Sequence, residues 1–170
     1  MSDLIINKGT VQNNLQVAEG VDKQTFKRFI FEAQYIDLKG IVCEDFYNDL
    51  VNNYTDTKYQ TLLAGSSYTY EDKNYSFEGL EKVLSYFAYG RFVPESPVLS
   101  TSFGMVRKDS NHSERVSTKH LESLGDKHNQ RALQIFVDVK KYLDRNKETF
   151  PFWEASDCCK SEDINIELWG

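Results

Sequence analysis

Hydrophobic residues recur at three- and four-residue spacing along most of the chain, which is the period of a helix with one buried face. The first such stretch starts near Asp22, a good helix-capping residue type, and Gly40 is expected to end it. A second helix over about 41–51 and a third over about 59–64 follow it. Residues 1–20 are weakly patterned and form an N-terminal arm. The pattern therefore predicts a helical domain over residues 21–151.

Residues 68–77 change to an alternation of aromatic and polar residues around a polar turn, which is typical of a β-hairpin. Helical spacing returns at Glu78, and we expect Pro94 and Pro97 to end that helix. A long loop over 94–115, with a short extended piece around Phe103, leads to a long helix over about 117–146. We predict a mainly α fold: a bundle of four to five helices with a small β-hairpin and a long C-terminal helix.

The composition adds an unusual number of aromatic residues, with 11 Phe, 10 Tyr and 2 Trp. Tyrosine rings suit interfaces, because one end of the side chain is apolar and the other is polar. Many of these residues lie in the hairpin and in the following helix, which one small domain is not expected to bury completely. The candidate interface residues are Tyr68, Tyr70, Tyr75, Phe77, Tyr86, Tyr89, Phe92, Phe103, Trp153 and Trp169.

The formal net charge is −6, and much of it lies in residues 152–170, where five acidic residues face a single Lys160. We interpret this segment as an acidic tail on a nearly neutral body. Such a charge argues against a primary role in gripping phosphate backbones. No apolar run approaches the roughly 20 residues of a membrane helix, so we expect a soluble protein of the cytoplasm without a membrane partner.

Few residues point to chemistry. His120 and His128 are eight positions apart on a predicted helix, too far to share one metal ion. Glu44, Asp45 and Asp49 could chelate a cation, but a solvated helix face is the simpler interpretation. Phosphate-binding loops and nucleophile motifs are absent from the sequence, and the cysteines (Cys43, Cys158 and Cys159) match neither a disulfide framework nor a redox motif. We expect no enzyme, no cofactor and no metal site.

The order of the segments resembles the head-to-tail connector, or adaptor, proteins of tailed bacteriophages, and most of all the neck ring proteins of crAss-like phages of Bacteroidetes. Residues 33–40 and 44–50 resemble the first helix, sharp turn and second helix of that family. Residues 62–92 and the Thr-x-Phe-Gly-x-Val element at 101–106 carry the more specific likeness. The resemblance covers about residues 22–145. Lys39 and the acidic tail depart from the family pattern.

The resemblance implies a virion protein of the phage neck that assembles in the host cytoplasm. Such proteins form rings, commonly of twelve copies, that dock on the portal, extend the DNA channel and bind the next neck or tail protein. Genomic DNA would pass through without specific binding. We expect the hairpin and the 94–115 loop to contact a neighbouring subunit. The alternative is a small cytosolic regulator that binds another protein through exposed aromatic residues.

Overall fold

The computed structural model describes residues 4–96, 98–101, 104–107 and 117–155. It has the mainly α fold that the sequence predicts, with a small hairpin and a long C-terminal helix. In chain order the elements are α1 (Lys8–Asn14), α2 (Lys23–Glu32), a π-helix (Ala33–Leu38), α3 (Lys39–Ile41), α4 (Glu44–Asn53), α5 (Thr57–Ala64), β1 (Ser66–Tyr70), β2 (Lys73–Phe77), α6 (Leu80–Glu95), β3 (Val98–Thr101), β4 (Gly104–Arg107), α7 (Thr118–Arg145) and α8 (Pro151–Ala155).

The packing of α6 against α7 forms the centre of the bundle. The two helices cross where Gly90 and Gly125 meet. A Cβ atom added to Gly125 would lie 2.7 Å from the Gly90 carbonyl oxygen. The sequence marks both glycines as weak points of their helices, because glycine disfavours helix formation. In the structure the absence of side chains lets the two backbones approach closely.

The predicted first helix begins as expected, because the Asp22 carboxylate accepts a hydrogen bond of 2.7 Å from the Thr25 amide. Its apolar face is buried through Phe26, Phe29 and Ile30. The expected stop at Gly40 is one residue early. The chain stays helical through the π-helix and α3 and becomes extended only at Val42. Glycine is a common helix stop, but a helix can continue past it.

The N-terminal arm packs on the bundle. Ile5, Ile6 and Val11 are buried in the core. The Ile5 amide donates a 2.9 Å hydrogen bond to Oε1 of Gln34. From residue 4 onward the arm therefore belongs to the helical domain, and α1 packs on α2 and α6.

The predicted end of this helix at Pro94 and Pro97 is confirmed, since α6 continues through Pro94 but ends at Glu95. Proline lacks an amide hydrogen and cannot donate to the carbonyl of Gly90, but one missing bond in a last turn is tolerated. Within the expected 94–115 loop, β3 and β4 form a second antiparallel hairpin, with Val98 opposite Arg107. Phe103 lies outside the described residues.

The helical domain extends past residue 151. The short helix α8 returns to the bundle, and Phe150 and Trp153 are buried in the core. Trp153 donates from Nε1 to Oδ1 of Asp144 over 2.8 Å. The acidic tail therefore begins after residue 155 instead of at 152, and the rest of it lies outside the described residues. Among the described helices, none combines the length and apolar character needed to cross a membrane.

Candidate functional site

The first hairpin is held closed at both ends by backbone geometry. Glu71 and Asp72 form its two-residue turn, and both have positive φ, at 48° and 59°. At its base, Gly65 and Gly79 both have a φ of 83°. A Cβ atom on Gly79 would lie only 2.2 Å from the carbonyl oxygen of Leu63. These positions fix the register in which Tyr68 lies opposite Tyr75.

The aromatic face of this hairpin docks on α7 of its own chain. The rings of Phe77 and Tyr142 stack with centroids 4.2 Å apart. The Arg145 guanidinium lies 4.0 Å from the ring centroid of Tyr75 and 4.7 Å from that of Tyr70. It also donates to the Tyr68 hydroxyl over 2.8 Å. A cation over several tyrosine rings is a favourable packing arrangement, so this face stabilises the monomer.

The aromatic residues of α6 also pack within the chain. Phe92 meets Phe26 with ring centroids 5.1 Å apart. Tyr86 and Tyr89 surround the imidazole of His128, which is 7% exposed. Loss of hydration, with a smaller contribution from the charge of Arg131, lowers the pKa of His128. This histidine is therefore a neutral core residue near pH 7.

The predicted interface residues divide into three groups. Phe77 and Trp153 are in the core, at 5% and 2% exposure, so their rings are not accessible to a neighbour in this fold. Phe103 and Trp169 lie outside the described residues. The remaining six are partly or substantially exposed, and Tyr70 is the most open of them at 37%. These are Tyr68, Tyr70, Tyr75, Tyr86, Tyr89 and Phe92.

The sequence did not single out an exposed apolar surface on α2 and the π-helix. Phe31, Tyr35 and Ile36 are 40%, 50% and 53% exposed. The rings of Phe31 and Tyr35 stack with centroids 5.6 Å apart and planes 7° apart. The signal was available, because these residues fall outside the buried stripe formed by Phe26, Phe29, Ile30 and Ala33.

An ion-pair network lies between this segment and α6. The Arg91 guanidinium donates to both carboxylate oxygens of Asp37, over 2.6 and 2.8 Å. It also reaches Glu32 at 3.4 Å. Hydrogen bonding to Asp37 is the main cause that raises the pKa of Arg91. A bidentate, partly buried pair of this kind holds α2 and the π-helix in place against α6.

Asp49 has structural partners. It pairs with Lys58 at 3.5 Å, accepts a hydrogen bond from Asn53 over 2.6 Å and accepts another from the Tyr59 hydroxyl. Burial, together with the hydrogen bond to Asp49, raises the pKa of Tyr59 well above its usual value. Over the described ranges, no group of three or more His, Cys, Asp or Glu residues is placed to hold a metal ion.

These features define a helical domain whose described surface exposes aromatic and apolar side chains. The model of the family of unknown function DUF6712 matches residues 38–163, and the chain belongs to this family. The match runs from the end of the π-helix into the acidic tail. Neither a curated protein nor a solved structure gave a match.

Proposed function

We propose that this protein is a ring-forming head-to-tail connector of a tailed phage. It would dock on the portal, extend the DNA channel and join it to the tail as part of the virion neck. The resemblance to the connector family over residues 22–145 supports this proposal. The resemblance rests on the order of the structural elements along the chain. This chain and the connector family share one order of elements: a helix pair, an aromatic hairpin, an aromatic helix, the segment at 101–106 and a long last helix.

The observation that carries the proposal is the second hairpin. Its strands β3 and β4 pair with each other and with no other strand among the described residues. A two-stranded hairpin has two open edges and is marginally stable alone in water. An open edge is a template for a strand from another chain. In a ring, each copy could supply this hairpin to the next copy in a head-to-tail contact.

The charge of the body agrees with a conduit for DNA. Outside residues 152–170 the acidic residues slightly outnumber the basic ones, and both signs are interspersed. A channel wall without a basic footprint lets a phosphate backbone slide past without adhering. The DNA therefore needs no specific binding site on this chain.

The experiment that tests this proposal replaces residues 98–107 by a Gly/Ser linker of the same length. The purified chain is sized by light scattering, alone and with the portal protein. We expect ring-sized particles for the natural sequence and a folded monomer for the variant. The matched control changes the turn of the first hairpin with Glu71→Asn and Asp72→Gly. This variant should still form rings.

Two results would contradict the proposal. Rings of unchanged size and stability after the replacement would remove the second hairpin from assembly. A natural chain that stays monomeric in every condition, with and without portal, would favour the alternative of a regulator that binds one protein partner.

A further inference from the structure

One line of side chains runs along α2, the π-helix and α3 at four-residue spacing: Lys23, Lys27, Phe31, Tyr35 and Lys39, here called the lysine–aromatic stripe. Residues four apart on a helix are neighbours on its surface. The stacked rings of Phe31 and Tyr35 form its centre. The Lys39 ammonium lies 5.4 Å from the ring centroid of Tyr35. The stripe is therefore an exposed apolar centre with basic residues at both ends.

The nearby acidic side chains do not neutralise the Lys23 end of the stripe. Arg91 holds Glu32 and Asp37 on the side that faces α6. Lys39 has an acidic partner in Glu44, at 2.8 Å. Lys23 and Lys27 make no ion pair within the described part of the chain. This end of the stripe thus carries uncompensated positive charge.

The same two lysines border a groove between α1 and α2. The groove has a volume of about 520 Å³, and Ile6 and Ile30 contribute apolar surface to it. It continues the stripe beyond Lys27, since Lys27 and Phe31 are one helical turn apart. An occupant that fits both features carries apolar side chains interspersed with acidic ones.

The last described helix, α8, packs on α4, the element that follows the Lys39 end of the stripe. The ring of Trp153, in α8, lies 5.2 Å from that of Phe46. Phe46 is in the first turn of α4, beside Glu44, which is the ion-pair partner of Lys39. Residues 156–161 connect Ala155 to Glu162, and six residues span at most about 21 Å.

The sequence of the acidic tail matches the stripe in chemistry and in order. Glu162 and Asp163 come first, then the apolar Ile164 and Ile166, and then a further acidic residue with two apolar ones, Glu167, Leu168 and Trp169. Read from Lys39 toward Lys23, the stripe is basic, then aromatic, then basic, and the apolar groove follows it. Eight residues span at most about 28 Å. Sixteen helical steps from Lys23 to Lys39 cover about 24 Å.

We infer that residues 162–169 bind the lysine–aromatic stripe of their own chain. Glu167 pairs with Lys23 and Lys27 at the uncompensated end, and the isoleucines cover Phe31 and Tyr35. Leu168 and Trp169 reach the groove beside Ile6 and Ile30. The short connection from Ala155 favours the contact within one chain, because it keeps the local concentration of the segment high. A partner that uses this face has to displace the tail.

The test uses the full chain in reducing buffer and measures how well acrylamide quenches Trp169. A Trp169→Phe variant gives the background from buried Trp153, and a peptide of residues 160–170 gives the value for the undocked segment. We expect Trp169 to be protected in the natural chain. Reversing two charges with Lys23→Glu and Lys27→Glu should lower the ratio of docked to undocked tail about tenfold.

Charge reversal in the tail provides the decisive arm. Glu167→Lys should expose Trp169 in the natural background and restore its protection when combined with the two stripe variants. The matched controls are Lys127→Glu and Val137→Ser on α7, which are exposed residues away from the stripe. They should leave Trp169 protected.

Three outcomes would overturn the inference. The first is quenching of Trp169 in the natural chain that equals quenching in the peptide, and the second is protection that survives the stripe variants. The third is protection that disappears on dilution, which would assign the segment to another copy. A single-stranded oligonucleotide that binds Lys23 and Lys27 without exposing Trp169 would assign the stripe to nucleic acid instead.

Discussion

Single residues decide where this chain can come close to itself. Gly79 adopts a φ of 83°, and its α-carbon faces backbone atoms of residues 63–65. Gly125 meets Gly90 and Pro94 where α6 and α7 cross. The sequence reveals the presence of these glycines, but their partners come from other elements, so the close approaches could not be predicted from it.

Gly79→Ala should destabilise the protein by about 2–4 kcal/mol, because an alanine is strained at positive φ and its Cβ would overlap backbone atoms. Urea unfolding followed by circular dichroism measures this change. Gly40→Ala is the control, because a Cβ atom there meets nothing within 4 Å and alanine favours the helix. Equal stabilities for the two variants would show that the base of the hairpin is not built as described.

His128 should make stability depend on pH in a defined direction. Burial lowers its pKa in the folded state below the ordinary value of 6.5. Between those two values the unfolded chain binds more protons, so stability is complete above pH 6.5 and falls as pH decreases below it. Unfolding free energies at pH 7.5, 6.5 and 5.5 should show this loss.

A His128→Gln variant should show a weaker loss over the same range of pH, since it removes the titrating group. His120→Gln, at an exposed position of the same helix, should behave like the natural protein. An identical pH dependence in all three proteins would contradict a neutral, buried His128.

At the scale of elements, periodicity predicted α2, α5, α7 and the first hairpin well. Each has a continuous local pattern, such as the alternation of Tyr68 and Tyr70 with polar residues. The π-helix and the passage of α6 through Pro94 were not predicted, because contacts with distant elements stabilise them. The second hairpin was predicted only as a short extended piece around Phe103. The site shows the same limit: the sequence did not indicate that Arg145 of α7 packs on the tyrosines of the hairpin.

The short helix α8 should act as the anchor that closes the bundle. Trp153→Ala should cost about 3–5 kcal/mol, because it removes a buried indole and its hydrogen bond to Asp144. Phe152→Ala should cost less than about 0.5 kcal/mol, since Phe152 is 45% exposed. Thermal unfolding compares these adjacent positions. Similar losses for both would mean that α8 does not pack on the core.

At the scale of the whole molecule, the structure combines a closed helical core with exposed apolar side chains and with a hairpin that pairs with no other described strand. The second hairpin has open edges, and the lysine–aromatic stripe exposes apolar rings between lysines. The two proposals give these features separate roles: the hairpin would join neighbouring copies, and the stripe would bind the tail of its own chain. Loss of one should therefore leave the other intact.

The most direct test of the central claim is electron microscopy of the purified chain mixed with the portal protein of the same phage. We expect rings docked coaxially on the portal, with a mass of about twelve times the 19.7 kDa of one chain. A chain that stays at 19.7 kDa and leaves the portal bare would contradict the account.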